Sequence, residues 1–455
     1  MSSETSDDTP VESFDQLVEW IAAGSKPPGD WRIGTEHEKF PFYKSLLEPV
    51  PYEGDRGIRA LLEGMQAHLG WEPGFDDGKL IALKGPDGAS ISLEPGGQFE
   101  LSGAPLETIH ETCAESNAHL AAAREVAETL NIGFLGLGSA PLRSLADTPR
   151  MPRSRYDIMR GRIAKAGRYG LDMMHRSTTI QVNLDFASEA DMRQKMQVGL
   201  KLQPIASALF ANSPFSEAKP NGFLSFRSEM WRDVDSQRSG VLPIAYADDF
   251  GFADYAEWAL DVPMFFVVRD GSYHETEMTF RRFMDGGARD LPGGQATMGD
   301  WINHLGFLFP DVRLKRFIEM RGADGGPWRR ICALPALWVG LLYDKTALNE
   351  ADAMTRRWTP EQVSAMRDEV PKLGLKAMTP DGRTVHEVAR DIVHIAERGL
   401  AARARLNSAG FDETDFLAPL AEVVAKGQTQ AEDLLDRFNG PWKSRIEPLF
   451  NELAY

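Results

Sequence analysis

Four short segments constrain the fold most, because each alternates apolar and polar residues with the two-residue period of a β-strand: 33–40, 91–103, 178–186 and 316–322. In the first segment, Glu36 and Glu38 stand two positions apart. A strand would project both carboxylates from one face, with their Cα atoms roughly 6–7 Å apart. Taken alone, this pair is equally compatible with an ordinary solvated strand.

The second segment predicts a tight hairpin. Its turn residues, 95–97, have the sequence Pro-Gly-Gly and lie between two short strand-like runs. A loop of three residues pairs position 94 with position 98, so Glu94 and Glu100 would lie diagonally on one face. The other face is apolar and would enter a core: Leu93, Phe99 and Leu101.

The two remaining segments extend this polar face. Residues 178–186 place a polar row between apolar positions, and Gln181 lies in that row. In residues 316–322, Glu319 and Arg321 share a face. Like charges on neighbouring strands repel, yet the five glutamates largely lack lysines in the same rows. We therefore interpret the face as a Mg²⁺ site, where carboxylates and carboxamides bind the ion beside waters and substrate phosphates. The alternative is the solvated face of an ordinary antiparallel sheet.

A basic window surrounds the last segment. Residues 313–330 include six Lys and Arg residues against two carboxylates. Next to Glu319, Arg321 would hold a guanidinium beside a metal-bound phosphate, where it can stabilise a transferring phosphoryl group. Arg155 and Arg227 lie in stretches interrupted by Gly and Pro, and either suits bidentate recognition of a carboxylate. A surface salt bridge is the alternative for both.

Composition narrows the classes of function. The 455 residues carry 50 Lys and Arg against 67 Asp and Glu, and a net charge of −17 argues against a nucleic-acid-binding protein. The longest apolar run, 334–343, is about half the length of a membrane-spanning helix. We predict no nucleic-acid partner and no membrane association. The sequence also lacks a phosphate-binding loop, a Cys/His zinc spacing and a nucleophile elbow, so any ATP would be bound by the metal-bearing sheet.

The organisation of the chain predicts one cytoplasmic α+β domain. The acidic N-terminus lacks the features of a secretory signal or transit peptide, and two cysteines are too few for a disulfide scaffold. We expect residues 1–12 to be disordered and residues 13–455 to form a single domain with a helical C-terminal third. The predicted helices cover 14–23, 105–130, 187–211, 360–370, 386–409, 417–426 and 429–438.

The motifs strongly resemble glutamate–cysteine ligase of the plant and proteobacterial type. The matching segments are 33–40, 94–103, 112–115, 155–160, 181–186, 211–215 and 319–327. The likeness runs in order from about residue 33 to residue 455, and residues 1–12 lie outside it. The resemblance implies a glutamine-synthetase-like catalytic fold, in which a curved antiparallel sheet forms a funnel-shaped active site with helices outside.

The resemblance also implies a reaction, in which ATP, L-glutamate and L-cysteine give γ-glutamylcysteine, ADP and phosphate as the first step of glutathione biosynthesis. It implies two or three Mg²⁺ ions held by six residues: Glu36, Glu38, Glu94, Glu100, Gln181 and Glu319. Arg321 would stabilise the γ-phosphoryl group during transfer, and Arg155 and Arg227 would bind substrate carboxylate or phosphate. Because a γ-carboxylate is a poor electrophile, ATP would first convert it to a γ-glutamyl phosphate, which the cysteine amine then attacks.

The resemblance bears on the two cysteines as well. In the plant relatives, cysteines that match Cys113 and Cys332 can form a disulfide, whereas a second plant cysteine pair, near residues 275–292, is absent here. Two expectations therefore stand side by side, a redox-sensitive bridge or two buried thiols in a reducing compartment. Both a monomer and a homodimer are compatible with the sequence.

Two other functions stay open. Another ATP-dependent carboxylate–amine ligase of the same fold would keep these Glu and Arg residues but accept a different amine. A non-catalytic nucleotide- or metal-binding relative is disfavoured, because the carboxylates and Arg321 are intact. Histidines 37 and 175 are candidate bases for the amine. Four aromatic residues could line a thiol pocket or belong to the core: Tyr156, Trp231, Phe265 and Phe266.

Overall fold

The structure is a computed structural model that describes residues 7–286 and 291–455. Its strands are β1 Ile33–Tyr43, β2 Glu48–Pro49, β3 Glu72–Asp76, β4 Lys79–Lys84, β5 Ser90–Leu93, β6 Phe99–Ser102, β7 Ile132–Leu135, β8 Thr179–Leu184, β9 Phe215–Ser216, β10 Lys219–Pro220, β11 Ser239–Gly240, β12 Phe266–Arg269, β13 Ser272–Glu275, β14 Phe309–Pro310, β15 Val312–Leu314 and β16 Ile318–Asp324.

Helices surround these strands. They are α1 Phe14–Ala22, α2 Ile58–Leu69, α3 Ile109–Thr129, α4 Ser154–Ala166, α5 Gly170–Arg176, α6 Glu189–Leu209, α7 Phe226–Arg232, α8 Phe252–Asp261, α9 Phe280–Met284, α10 Met298–Gly306, α11 Trp328–Leu342, α12 Lys345–Thr355, α13 Pro360–Leu373, α14 Val385–Arg403, α15 Ala418–Lys426, α16 Gln430–Asn439 and α17 Glu447–Glu452.

A ten-stranded antiparallel sheet organises the fold. Its main order is β15-β16-β8-β1-β6-β5-β4-β3, and β2 and β7 pair with the far end of β1. Strand β1 therefore changes neighbours along its length. Residues 33–39 pair with β8 and β6, whereas residues 40–43 pair with β7. The sheet is open, and all four strand segments predicted from the sequence lie in it.

The alternation predicted for residues 178–186 is confirmed in β8. Its apolar side chains, Ile180, Val182 and Leu184, are fully buried in the main core, and helix α11 packs on this strand. Helix α3 likewise packs on β1, and helix α6 packs on β16. The helices thus cover one face of the sheet, and the polar rows project from the other.

Capping residues explain why the helices start where they do. The predicted helix at 105–130 begins only at Ile109, because Thr108 and Glu111 form a capping box and Leu106 instead pairs with Ile33. The predicted helix at 386–409 ends six residues early, at Arg403, where Ala404 adopts a left-handed conformation (φ 49°). The C-terminal third is helical, from α11 to α17.

The N-terminal segment is partly attached to this body. Residues 1–6 of the predicted disordered segment lie outside the described residues. Of residues 7–12, Val11 is buried and its backbone N–H donates to Ala296 O at 2.9 Å, and Pro10 bridges to Thr297. The division into residues 1–12 and one domain over 13–455 stays a prediction.

Helix length bears on membrane insertion. No single helix in residues 7–286 and 291–455 is long and apolar enough to cross a membrane. Helices α11 and α12 reach that length and composition only as a pair, with a bend of 87° between them.

Candidate active site

A cavity of about 720 Å³ lies over the polar face of the sheet. Four of the six predicted metal ligands line it: Glu36, Glu38, Glu94 and Gln181. The other two, Glu100 and Glu319, are fully buried in the strands beside the cavity. All three predicted arginines also line it: Arg155, Arg227 and Arg321. The structure therefore brings together the six predicted metal ligands and the three predicted arginines at one site.

Strand register sets the order of the carboxylates. Glu38 lies directly opposite Glu100, and Glu36 lies opposite Gln181 on the other neighbouring strand. Each carboxylate accepts a hydrogen bond from β8, because Asn183 Nδ2 donates to Glu36 Oε1 at 2.9 Å and Thr179 N donates to Glu38 Oε2 at 3.0 Å. These bonds orient both carboxylates across the centre of the sheet.

The predicted hairpin forms with the predicted register. Leu93 pairs with Phe99, and the Glu94 N–H donates to Gln98 O at 2.9 Å. Gly97 closes the turn in the left-handed region, with φ 89°, a conformation that glycine adopts without steric cost. Glu94 and Glu100 consequently lie on the polar face of the hairpin, and its apolar residues are buried on the other side.

Burial and mutual repulsion raise the pKa values of the central carboxyls. The pKa of Glu36 is raised by burial and by the charges of Glu319 and Glu100. The pKa of Glu38 is raised well above its usual range by burial and by Glu94 and Glu100. Partly buried carboxylates that destabilise one another in this way favour a cation between them.

The chemistry of the donors fits Mg²⁺, because the face offers carboxylate and carboxamide oxygens and no thiolate or imidazole. Within residues 7–286 and 291–455, no three Asp, Glu, His or Cys residues converge closely enough to form a complete metal site by themselves. Mg²⁺ commonly binds through one or two carboxylates together with waters and substrate phosphates, so an open arrangement suits it.

Glu319 has different surroundings from the other carboxylates. Arg313 holds it with a planar fork, in which Nε donates to Oε2 at 3.1 Å and Nη2 donates to Oε1 at 2.8 Å, and Arg321 forms a second ion pair with it. Lys315 Nζ lies 3.7 Å away. Although burial opposes ionisation, these three cations hold the pKa of Glu319 well below its usual range. Glu319 is thus already neutralised by side chains.

Arg321 lies on a β-bulge, where the register of β16 and β8 shifts between Met320 and Ala323. A bulge re-aims side chains, and here the Arg321 Nη1 donates to Gln181 Oε1 at 2.9 Å inside the cavity. The bulge is held from behind, because Ser207 Oγ donates to Gly322 O at 2.9 Å. A Cβ at Gly322 would lie 1.9 Å from the Gln203 amide nitrogen, so any side chain there would require Gln203 to move.

The two outlying arginines are buried, with 1% of Arg155 and 4% of Arg227 exposed. The alternative of surface salt bridges is therefore wrong for both. Arg155 projects from the first turn of α4 and lies over the Phe307 ring at 5.5 Å. Arg227 projects from α7, and its Nη2 donates to Arg321 O at 2.9 Å. Arg227 is thereby hydrogen-bonded directly to β16, the strand that carries Arg321.

The sequence reasoning did not select Asp324, which supports one of the arginines of the cavity. It is buried and accepts hydrogen bonds from Asn212 N at 2.8 Å, from Ser213 Oγ at 2.7 Å and from Ser225 Oγ at 2.8 Å. Ser225 caps α7, and Ser213 Oγ accepts from the Arg227 N–H at 3.1 Å. Asp324 therefore fixes the helix that presents Arg227. Its place in a stretch that matches the family motif was the only signal in the sequence.

Comparison with known proteins identifies the family. The model of glutamate–cysteine ligase family 2 matches residues 32–452. The chain is a member of this family. It is 53% identical to the chloroplastic glutamate–cysteine ligase of Solanum lycopersicum over 442 residues, which are 97% of this chain and 82% of that one. It is 52% identical to the corresponding Arabidopsis thaliana enzyme, again over 97% of this chain and 83% of that one.

A solved structure supports the fold of this family member. A glutamate–cysteine ligase from Francisella tularensis, solved in complex with AMP, superposes with a TM-score of 0.59 at 12% identity, covering 93% of this chain and 88% of that one. The glutamine-synthetase-like α+β fold, the family and the ATP-dependent ligation of glutamate to cysteine that were predicted are confirmed.

The comparisons contradict the predicted cytoplasmic location. The relatives from Solanum lycopersicum, Brassica juncea, Nicotiana tabacum and Arabidopsis thaliana, each matching over 97% of this chain, are all named chloroplastic. The prediction is wrong on this finding. The physical reason is that proteins are directed to compartments by targeting segments, which are separate from the folded enzyme. The composition of a catalytic domain therefore does not determine the compartment.

The cysteines of this ligase are bridged. Cys113 on α3 and Cys332 on α11 form a disulfide with a Cα–Cα distance of 5.5 Å. Both helices cover the back of the sheet. Of the two expectations for these residues, the disulfide is the one that the structure contains.

The two candidate bases do not line the cavity. His37 alternates with Glu36 and Glu38 on β1, so it faces the opposite side of the sheet, where its ring lies 5.5 Å from that of His119. His175 is buried in α5, and burial together with Arg160 and Arg150 lowers its pKa to about 4.

The four aromatic candidates for the thiol pocket lie in two different places. Trp231 lines the cavity, whereas Tyr156, Phe265 and Phe266 belong to the core behind it. Tyr156 donates its hydroxyl to Leu93 O and so supports the hairpin. Of the two alternatives left open by the sequence, the cavity wall holds for one aromatic residue and the core for three.

Proposed function

We propose that this polar face is the catalytic surface on which Mg²⁺, ATP and the two amino acids of the ligase reaction meet. The observation that carries the proposal is the juxtaposition of the carboxylate rows with three arginines in one cavity, of which Arg155 and Arg227 are buried and Arg321 is partly buried. An acidic face repels ATP and glutamate, whereas cations and arginines among the carboxylates make the same face attract them.

Glu36, Glu38, Glu94, Glu100 and Gln181 would hold two or three Mg²⁺ ions. When bound, Mg²⁺ neutralises the charge that develops on the phosphates and orients them for in-line transfer. The raised pKa values of Glu36 and Glu38 support this assignment, because burial and repulsion by neighbouring carboxylates favour a cation beside them. Glu319, which Arg313 neutralises, would act mainly by orienting Arg321.

Arg321 would stabilise the γ-phosphoryl group as it leaves ATP. Its guanidinium is fixed by Gln181 and Glu319 and by the bulge beneath it, so little reorganisation is needed during the transfer. The glutamate γ-carboxylate oxygen attacks the phosphorus, ADP departs, and a γ-glutamyl phosphate forms. The cysteine nitrogen then attacks the acyl carbon, loses its proton and displaces phosphate.

Arg155 and Arg227 would bind carboxylates of the amino-acid substrates. A guanidinium that is almost fully buried needs a nearby anion, and Glu94 and Asp324 supply part of the required charge. The planar fork of each arginine can accept a substrate carboxylate in addition.

The test is ADP release by the purified protein with Mg·ATP and glutamate, with and without L-cysteine, while 2-aminobutyrate, alanine and ammonia compete as amines. We expect strong dependence on cysteine, with 2-aminobutyrate as a weaker substitute. Turnover with ammonia or another amine, and not with cysteine, would agree with the proposed metal site but would contradict cysteine as the substrate. Light scattering of the eluting enzyme would distinguish the predicted monomer and homodimer.

A further inference from the structure

The cavity has two chemically different ends, separated along the strands. At one end lie the start of β1 and the loop before β16, which bring Arg32, Lys315 and Arg316 to the cavity wall. At the other end lies the hairpin turn. Glu100 pairs with Glu38, and Gln98 lies two residues nearer to the turn than Glu100 does. Eight residues of strand between these ends correspond to roughly 25 Å.

The hairpin end is apolar and rich in methionine. Helix α4 turns one face to the cavity, with Arg155, Met159 and Ile163 spaced four residues apart. Helix α5 adds Met173 and Met174. Each of these four apolar side chains is at most 9% exposed. Arg155 is thus the charged group at the rim of an apolar wall.

The wall is rigidly placed relative to the carboxylates. The Gln98 side-chain amide donates to Met174 O at 3.1 Å and to Ser177 O at 2.9 Å. The same residue receives the backbone hydrogen bond from Glu94, and its Oε1 accepts from the Gly96 N–H at 2.8 Å. The methionines of α5 are therefore fixed to the hairpin that carries Glu94 and Glu100.

We propose that this methionine wall, formed by Met159, Ile163, Met173 and Met174, binds the side chain of the second amino acid and selects its thiol. The inference rests on the proposed function. Thioether sulfurs are polarizable and pack well against a thiol, whereas a hydroxyl or amide buried here would lose hydrogen bonds to water. The basic opposite end suits the phosphates of the nucleotide, which leaves the apolar end for the small uncharged side chain.

The test enlarges the space beside the wall and measures the ratio of kcat/KM for two substrates. Replacing Met159 or Met173 by Ala removes three heavy atoms from the wall and makes room for a larger side chain. We expect the kcat/KM for S-methylcysteine relative to that for cysteine to rise by about tenfold or more in at least one of the two variants. Because both substrates meet the same folded fraction of enzyme, partial unfolding does not change this ratio.

Met65→Ala is the matched control. Met65 is fully buried in α2 and does not line the cavity, so this variant should lose stability and keep the wild-type ratio. An unchanged ratio in both wall variants, or a change confined to the KM for ATP, would overturn the assignment. Failure of the proposed function would look different, because the wild-type enzyme itself would then release ADP without depending on cysteine.

Discussion

Two glutamates of the site should respond to the same substitution with opposite signs. In the metal-free enzyme, Glu38 lies among like charges, whereas Glu319 lies among three cations. Changing each to Gln removes one negative charge and keeps the shape of the side chain. Glu38→Gln should therefore relieve repulsion, and Glu319→Gln should leave buried guanidinium groups without their counter-charge.

The magnitudes follow from the contacts. Glu319 accepts hydrogen bonds from both Arg313 and Arg321, and breaking such a buried pair costs about 3–5 kcal/mol. Glu38 accepts a hydrogen bond from Thr179 N, and the Gln carbonyl can still accept it. Relief of the repulsion by its neighbours should leave the free energy of unfolding unchanged or raise it by up to about 2 kcal/mol.

Urea unfolding at pH 8, with EDTA and then with excess Mg²⁺ and ATP, measures both effects. The wild-type enzyme should gain stability from the ligands, and Glu38→Gln should lose most of that gain. Glu125→Gln is the control, since Glu125 is largely exposed and its change should alter stability by less than about 0.5 kcal/mol. The reasoning is refuted if Glu38→Gln lowers the metal-free stability as much as Glu319→Gln does.

Three further predictions concern other parts of the protein. Arg321→Lys should lower kcat more than it raises the KM for ATP, because a point charge replaces the planar fork; steady-state kinetics with a pure KM effect would contradict this. Asp324→Asn should lower stability by about 2–3 kcal/mol and raise the KM for glutamate through Arg227, and an unchanged KM would remove Asp324 from the site. Burial lowers the pKa of His304 to about 4, so the unfolded state takes up its proton first as the pH falls below about 6.5. The His304 contribution to wild-type stability should therefore fall by about 3 kcal/mol between pH 6.5 and pH 4, and His304→Gln should lack this component in urea unfolding at several pH values.

The polar face of the acidic strands was predictable, because its polar residues recur at every second position and side chains in a strand alternate with the same period. Glu36, Glu38 and Gln181 lie at alternate positions, and alternation in a strand fixes which face a side chain takes. The Pro-Gly-Gly turn fixed the partner of Glu94 in the same way. Local rules therefore sufficed to place these carboxylates on one side of the sheet.

What the sequence could not supply was the order of the strands and the packing of loops over them. Glu319 has the same strand pattern as Glu38, yet Arg313 neutralises it through a contact that only the β15–β16 pairing creates. His37 was selected for its polar segment, although the same alternation that exposes Glu36 turns it inward. Met159 and Met173 carry no polar signal, and only the placement of α4 and α5 brings them to the cavity.

The catalytic role proposed for the polar face requires that the carboxylate rows of the sheet hold divalent cations. Crystals grown with Mn²⁺ and a non-hydrolysable ATP analogue would locate the ions directly by anomalous scattering. We predict peaks within about 2.5 Å of carboxylate oxygens of Glu36, Glu38, Glu94 or Glu100, bridged to the nucleotide phosphates. Peaks confined to other residues, with these carboxylates bound only to protein groups, would contradict the central claim.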